Sequence, residues 1–171
     1  MKPIRIGILG AGRGLTLSRD FARIPGCEIV ALCDTHRARR EAAAKEMGAS
    51  VAVYEDFDAF LSHEMDAVVL ANLFHEHAPY AIQCLARGLH VFSECLANGT
   101  MAEGVALIRA AEKSGAIYML AENYPQMLFA REMKDICDSG TLGKILYAEG
   151  EYNHPFNPND REFRQQYIYC E

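Results

Sequence analysis

The apolar positions of this chain fall into two alternating rhythms. Short runs rich in β-branched residues, Ile4–Leu9, Glu28–Cys33, Val51–Tyr54, Ala67–Ala71, His90–Ser93 and Ala116–Leu120, predict six strands. Longer stretches of helical period lie between them, near 14–24, 36–47, 56–62, 77–87 and 101–114. This alternation calls for parallel strands joined by crossover helices. Gly26, Gly48, Gly88 and Gly115 each stand just ahead of a strand, where a helix stops in a left-handed turn that glycine adopts without strain. With right-handed crossovers, six such strands predict an α/β fold, a doubly wound parallel sheet in the order 3-2-1-4-5-6. The chain shows neither an internal repeat nor a low-complexity segment.

Composition narrows the partners. A formal net charge of −6 over 171 residues argues against nucleic acid, which needs clustered positive charge. The start, Met1-Lys2-Pro3 followed by Ile4–Leu9, reads as a strand rather than a secretion signal. No apolar run approaches the ~20 residues that span a bilayer, so we expect no membrane partner and a cytoplasmic location. Six cysteines without a C-x-x-C pair read as reduced thiols. His75-Glu76-His77 lacks further ligands at a suitable spacing, so no metal site is expected.

Chemistry enters at the end of the first strand, Gly10-Ala11-Gly12-Arg13-Gly14-Leu15. In a dinucleotide site the first glycine permits a tight turn and the second admits a pyrophosphate to the backbone, while the helix start supplies amides and partial positive charge. Gly10, Gly12, Arg13 and Gly14 are therefore candidate cofactor-binding residues. The third glycine stands one position early, leaving Leu15 where close helix–sheet packing favours a small residue. Asp34 ends the second strand, 22 residues beyond Gly12, where an acid takes ribose hydroxyls. A carboxylate there repels a 2′-phosphate, so the expected cofactor is NAD in preference to NADP. The basic run His36, Arg37, Arg39, Arg40 reads as a solvated helix face.

The later strand ends carry a resemblance. The fourth leads into His77-Ala78-Pro79, the fifth ends at Glu94, the sixth runs into Glu122-Asn123-Tyr124, and Gly140-Thr141-Leu142-Gly143 precedes a further apolar stretch. With the glycine loop, these segments resemble the glucose-fructose oxidoreductase, inositol dehydrogenase and rhizopine-catabolism family (Gfo/Idh/MocA) over nearly the whole chain. The resemblance implies a Rossmann NAD(P)-binding domain over residues 1–122. It implies that residues 123–171 hold a connecting helix and the first strand, Ile145–Tyr152, of a second α+β domain that carries the substrate pocket. That second domain would be cut short here, leaving residues 153–171 poorly anchored and the chain inactive alone. Association into a homo-oligomer would run through the same missing sheet.

The resemblance also assigns residues. Asn72, His77, Glu94 and Asn123 join the cofactor-binding set, with His77 and Pro79 at the rim of the cleft. Tyr124, Tyr152 and His154 are implied to face the substrate, and Tyr152 and His154 are the candidate catalytic residues. One departure stands out. The family's fifth strand ends in Glu-Lys-Pro, whereas this chain reads Glu94-Cys95-Leu96. The lysine is implied to contact the nicotinamide ribose and the substrate hydroxyl, and a thiol cannot replace its charge. Cys95 is then a small residue beside the cofactor, or a nucleophile if its pKa is lowered.

Three functional readings follow. The first is an NAD(P)-dependent oxidoreductase moving a hydride between nicotinamide and a small-molecule sugar, cyclitol or related polyol. The second is a glycosidase that keeps NAD bound and oxidises its sugar transiently; its known members resemble this chain in the Glu122-Asn123 turn and the 150–154 stretch, and also lack the lysine. The third is a non-catalytic NAD-binding module.

Overall fold

The computed structural model describes residues 2–153. The chain divides into two compact units, one ending at Gln126 and the other beginning at Met127. The first holds one parallel sheet built from β1 (Ile4–Leu9), β2 (Cys27–Cys33), β3 (Ala52–Tyr54), β4 (Ala67–Leu70), β5 (His90–Ser93) and β6 (Tyr118–Leu120). Their order is β3-β2-β1-β4-β5-β6, the doubly wound arrangement expected from the sequence rhythm. Every pairing is parallel, from Ile8 opposite Leu32 on one side of β1 to Ile8 opposite Val69 on the other. The crossover helices are α1 (Ala11–Phe21), α2 (Arg37–Met47), α3 (Phe57–Leu61), α4 (His77–Ala86) and α5 (Met101–Ser114).

Burial follows the pleat. Ile6, Ile8 and Val69 face one layer, where Phe21 of α1 meets Phe92 edge-on at 5.3 Å. Leu9, Val68, Leu70 and Val91 face the other, with Phe60, Cys84 and Leu85. Fully burying side chains such as Phe60 and Leu85 contributes about 1.5–3 kcal/mol each, so these two layers dominate the stability of the unit. At the entry edge of the sheet Arg5 donates from Nε, Nη2 and its own amide to Asp66, at 3.0, 2.8 and 2.8 Å. These bonds hold the Asp66 carboxyl down at about 2.

Helix ends explain where observed boundaries differ from expected ones. Helix α1 begins at Ala11, three residues before the expected start, because Gly10 turns the chain at φ 98° and the Ala11 amide finds an acceptor outside the helix. Helix α5 starts where expected, since Thr100 and Glu103 form a reciprocal capping box. It ends on Gly115 at φ 69°.

The second unit contains α6 (Leu128–Asp138), the expected connecting helix. The expected strand Ile145–Tyr152 does not form: residues 145–152 lack regular secondary structure, and no strand follows β6 among the described residues. A strand exists only through ladder bonds to a neighbour, and none is described beside this segment. The expectation of a poorly anchored 153–171 segment falls on residues that, apart from Asn153, lie outside those described.

Candidate functional site

Sheet order reverses at β1, which pairs with β2 on one side and β4 on the other. In an open α/β sheet the crevice beyond the carboxyl ends of those strands receives ligands. Three glycines line it with different jobs. A Cβ at Gly10 would lie 2.5 Å from the carbonyl of Ala71 at the β4 exit, and its φ of 98° already excludes an ordinary side chain. A Cβ at Gly14 would lie 2.6 Å from Ile8 Cγ2, so Gly14 brings α1 against the sheet. That corrects the concern over Leu15: Gly14 is buried and serves as the packing glycine, while Leu15 sits half-buried at the margin. Gly12 differs. Its Cβ would meet nothing nearer than Arg39 Nη1 at 3.9 Å, so the fold does not need glycine there. Space is kept open at the start of an 11-residue helix whose N-cap offers no side chain and whose first turn holds no acid. Exposed amides and a partial positive charge facing open space suit a pyrophosphate.

Asp34, 8% exposed, directs one oxygen to the Ala11 amide at 2.7 Å and the other to the His36 amide at 2.7 Å. One carboxylate thus ties the first amide of α1 to the N-cap of α2. Its lone pairs are not exhausted, because a carboxylate has about four acceptor sites. Of the basic run beyond it, Arg37 pairs with Glu41 on the surface, as a solvated face should. Arg40 is structural, donating to the carbonyls of Asp34 and Thr35 at 2.9 and 2.7 Å and to Glu55 at 2.5 Å. Arg39 stands over Gly12.

Across the crevice, the β4 exit holds Asn72, whose Nδ2 donates to Glu76 at 3.2 Å and whose buried Oδ1 finds no partner among the described residues. The β5 exit holds Glu94, which takes Arg13 Nε at 2.7 Å, joining the glycine loop to the far side. Cys95 donates from Sγ to Glu122 Oε2 at 3.1 Å. Partial burial first, then the neighbouring carboxylates Glu122 and Glu94, raise its thiol to about 11. At that value the thiol, rather than the thiolate, is the form present at neutral pH. The Cys95 hydrogen bond and the amides of Asn123 and Tyr124 hold Glu122 below the ordinary carboxylate range. His77 is not at the rim as implied. It is 1% exposed, with Nδ1 against the carbonyls of Glu94 and Leu96 at 2.7 and 3.0 Å.

The remaining candidates are less gathered. The Asn123 and Tyr124 side chains are exposed at the β6 exit. Tyr152, exposed, belongs to the second unit, and His154 lies outside the described residues. Sequence reasoning missed Glu122 as a site residue, although it follows the carboxyl end of β6 just as Glu94 follows that of β5. No group of three metal-ligating side chains occurs among the described residues. A cavity of about 370 Å³ between α1, β2 and α2, lined by Ser18, Cys27, Glu46 and Met47, contains none of these residues.

Fold and glycine loop together define a dinucleotide-binding α/β domain. Residues 4–122 match the family described as GFO_IDH_MocA, oxidoreductases with an NAD-binding Rossmann fold, and the chain belongs to that family. A curated relative, glycosyl hydrolase family 109 protein 2 of Shewanella sp. (strain ANA-3), is 30% identical over 167 residues, 90% of this chain and 36% of that protein. Among solved structures, myo-inositol 2-dehydrogenase from Lactobacillus plantarum superposes with a TM-score of 0.77 at 26% identity, covering 85% of this chain and 44% of that one. Scyllo-inositol dehydrogenase from Lactobacillus casei, solved with NAD(H) and scyllo-inositol, gives 0.77 at 27%, covering 83% and 43%. The chain therefore spans about a third of that curated relative and less than half of those dehydrogenases.

Proposed function

We propose that this chain holds the nucleotide in an enzyme that moves a hydride between NAD and a ring carbon of a sugar, cyclitol or related polyol. The observation that carries the reading is Gly12, a glycine between two sterically required ones whose own vacancy serves no packing purpose. Bound NAD would supply the hydride acceptor. The α1 amides beyond Ala11 would hold its pyrophosphate, and Asp34, already fixed by two amides, has acceptor capacity left for ribose hydroxyls. Glu94, Cys95 and Asn123 would line the nicotinamide side, with Tyr124 toward the substrate. NAD rather than NADP remains our assignment, on the charge of Asp34. The five cysteines among the described residues are all free thiols, which fits a cytoplasmic setting, and no described helix is long and apolar enough to cross a membrane. Assembly of the complete protein as a homo-oligomer belongs to the same reading.

A second reading is favoured by the β5 exit. A protonated thiol held by Glu122 stands where the family's dehydrogenases are implied to use an ammonium, and a family 109 glycosyl hydrolase shares 30% identity. Were hydride passed from the sugar to NAD, the resulting ketone would let a base take the adjacent proton and expel the aglycone as its alcohol. Water added to the enone and hydride returned would give the free sugar with no net change in NAD. Incubating the complete protein with NAD and either free polyols or aryl glycosides separates the two. Accumulating NADH with polyols supports the dehydrogenase, and aryl alcohol release without NADH supports the glycosidase. Neither signal, with NAD still bound, would leave a binding module and overturn the enzymatic proposal.

A further inference from the structure

The β5 exit contains a buried imidazole that neither reading employs. His77 lies at the start of α4, beneath the Glu94-Cys95-Leu96 turn, and its Nδ1 is 2.7 Å from the Glu94 carbonyl and 3.0 Å from the Leu96 carbonyl. These two carbonyls bracket Cys95. Carbonyl oxygens only accept, so Nδ1 carries the proton and donates to both. Ser93 lies under the same turn, fully buried, with its hydroxyl 3.4 Å from Nδ1 and donating to the Glu94 carbonyl at 3.0 Å. The other ring nitrogen, Nε2, is buried with no partner among the described residues. An unmet polar atom in the interior costs free energy that a leucine of similar size would not. The compensating gain of an imidazole here is the forked bond from Nδ1.

We propose that His77 is a positioning residue that fixes the β5 exit: by holding the carbonyls on both sides of Cys95, it aims the thiol at Glu122 and the Glu94 carboxylate at Arg13. The consequence for cofactor binding rests on the function proposed above; the clamp itself does not. Two side chains that reach the crevice, Glu94 and Cys95, take their orientation from this turn, and Glu122 meets it through the Cys95 thiol, although His77 itself is hidden from the crevice. The relevant surface is therefore set from beneath, by a bond between a side chain and the backbone.

Three measurements on the 171-residue chain test the clamp. Nitrogen NMR of the unaltered protein reads the tautomer directly, and a buried ring protonated on Nδ1 is expected. A ring protonated on Nε2 instead overturns the proposal whatever the variants do. Alkylation of Cys95, followed by mass spectrometry against exposed Cys137 and buried Cys84 as internal standards, reads the turn. His77→Leu should speed Cys95 alkylation about tenfold, because the released thiol leaves Glu122 and gains water, while Cys84 stays protected. His77→Asn places an amide N–H where Nδ1 stood and should remain within about threefold of the unaltered rate. Leu and Asn variants with equal Cys95 rates would refute a clamp, since loss of packing alone would not discriminate between them. Titration with NAD then connects the turn to function: weaker binding by His77→Leu, restored by His77→Asn, is expected. Unaltered protein that binds no NAD would defeat the proposed function and leave the alkylation and NMR results to decide the clamp.

Discussion

The two sides of the crevice are held together differently. At the β1 and β2 exits, side chains bind backbone: Asp34 takes the amides of Ala11 and His36, and Arg40 donates to the carbonyls of Asp34 and Thr35. At the β5 and β6 exits side chains also meet backbone, but the groups that reach the crevice bind one another as well, Glu94 with Arg13 and Cys95 with Glu122. A site anchored to backbone amides keeps its shape under most substitutions nearby. A site built from side-chain pairs changes its chemistry when one partner changes, as Cys95 would where the resemblance implies a lysine. The half proposed to hold the nucleotide is thus kept in form by its anchoring, and the half proposed to react carries the Glu94-Cys95-Leu96 departure from the implied Glu-Lys-Pro.

The sharpest break of the first side is Gly10→Ala. A methyl group 2.5 Å from the Ala71 backbone cannot be relieved by a side-chain rotation, and φ of 98° adds strain. We expect a loss above about 3 kcal/mol or failure to fold, read by urea denaturation. Gly12→Val, two residues along, should shift stability by under about 1 kcal/mol, because open space receives the new side chain. Asp34→Ala comes next. It orphans two amides at helix starts, one of them buried, and should cost the ligand-free chain about 2 kcal/mol, with Asp34→Asn retaining part through its remaining oxygen.

The second side should respond in chemistry more than in stability. Alkylation of Cys95 should follow a pH profile with its midpoint near 11 rather than at the ordinary thiol value of 9.0. The sign follows from charge: burial and two carboxylates both disfavour a thiolate. Glu122→Gln removes one of those charges and should move the midpoint down, though not to 9.0, because burial, the largest single cause, and the Glu94 charge remain. An unchanged midpoint would mean that Cys95 and Glu122 do not interact in solution. The smallest effect belongs to Arg13→Ala. A half-exposed ion pair with Glu94 contributes under about 1 kcal/mol, and the difference should shrink as salt is added.

Strand order and the glycine loop were legible in sequence because each rests on local rules, apolar rhythm for the strands and steric allowance for Gly10. The roles of Gly14 and Asp34 were only half visible. Whether Gly14 or Leu15 packs on Ile8 depends on where α1 starts, and that depends on an amide finding Asp34 across 23 residues. The pairing of Cys95 with Glu122 joins residues 27 apart through adjacent strand ends. Only the register of β5 with β6 brings them together, so no local pattern announces it. The resemblance alone put His77 at the rim of the cleft, and nothing in the local sequence marks it as buried. Its burial comes from α4 starting directly beneath the β5 turn.

The central claim is that the space over Gly12 belongs to a dinucleotide rather than to the fold. Calorimetric titration of the chain and of Gly12→Val with NAD, after urea denaturation has shown the two equally stable, tests it most directly. The account predicts one NAD bound per chain, more tightly than NADP, and binding abolished in the variant. Equal NAD binding by both proteins, or none by the unaltered chain, would contradict it.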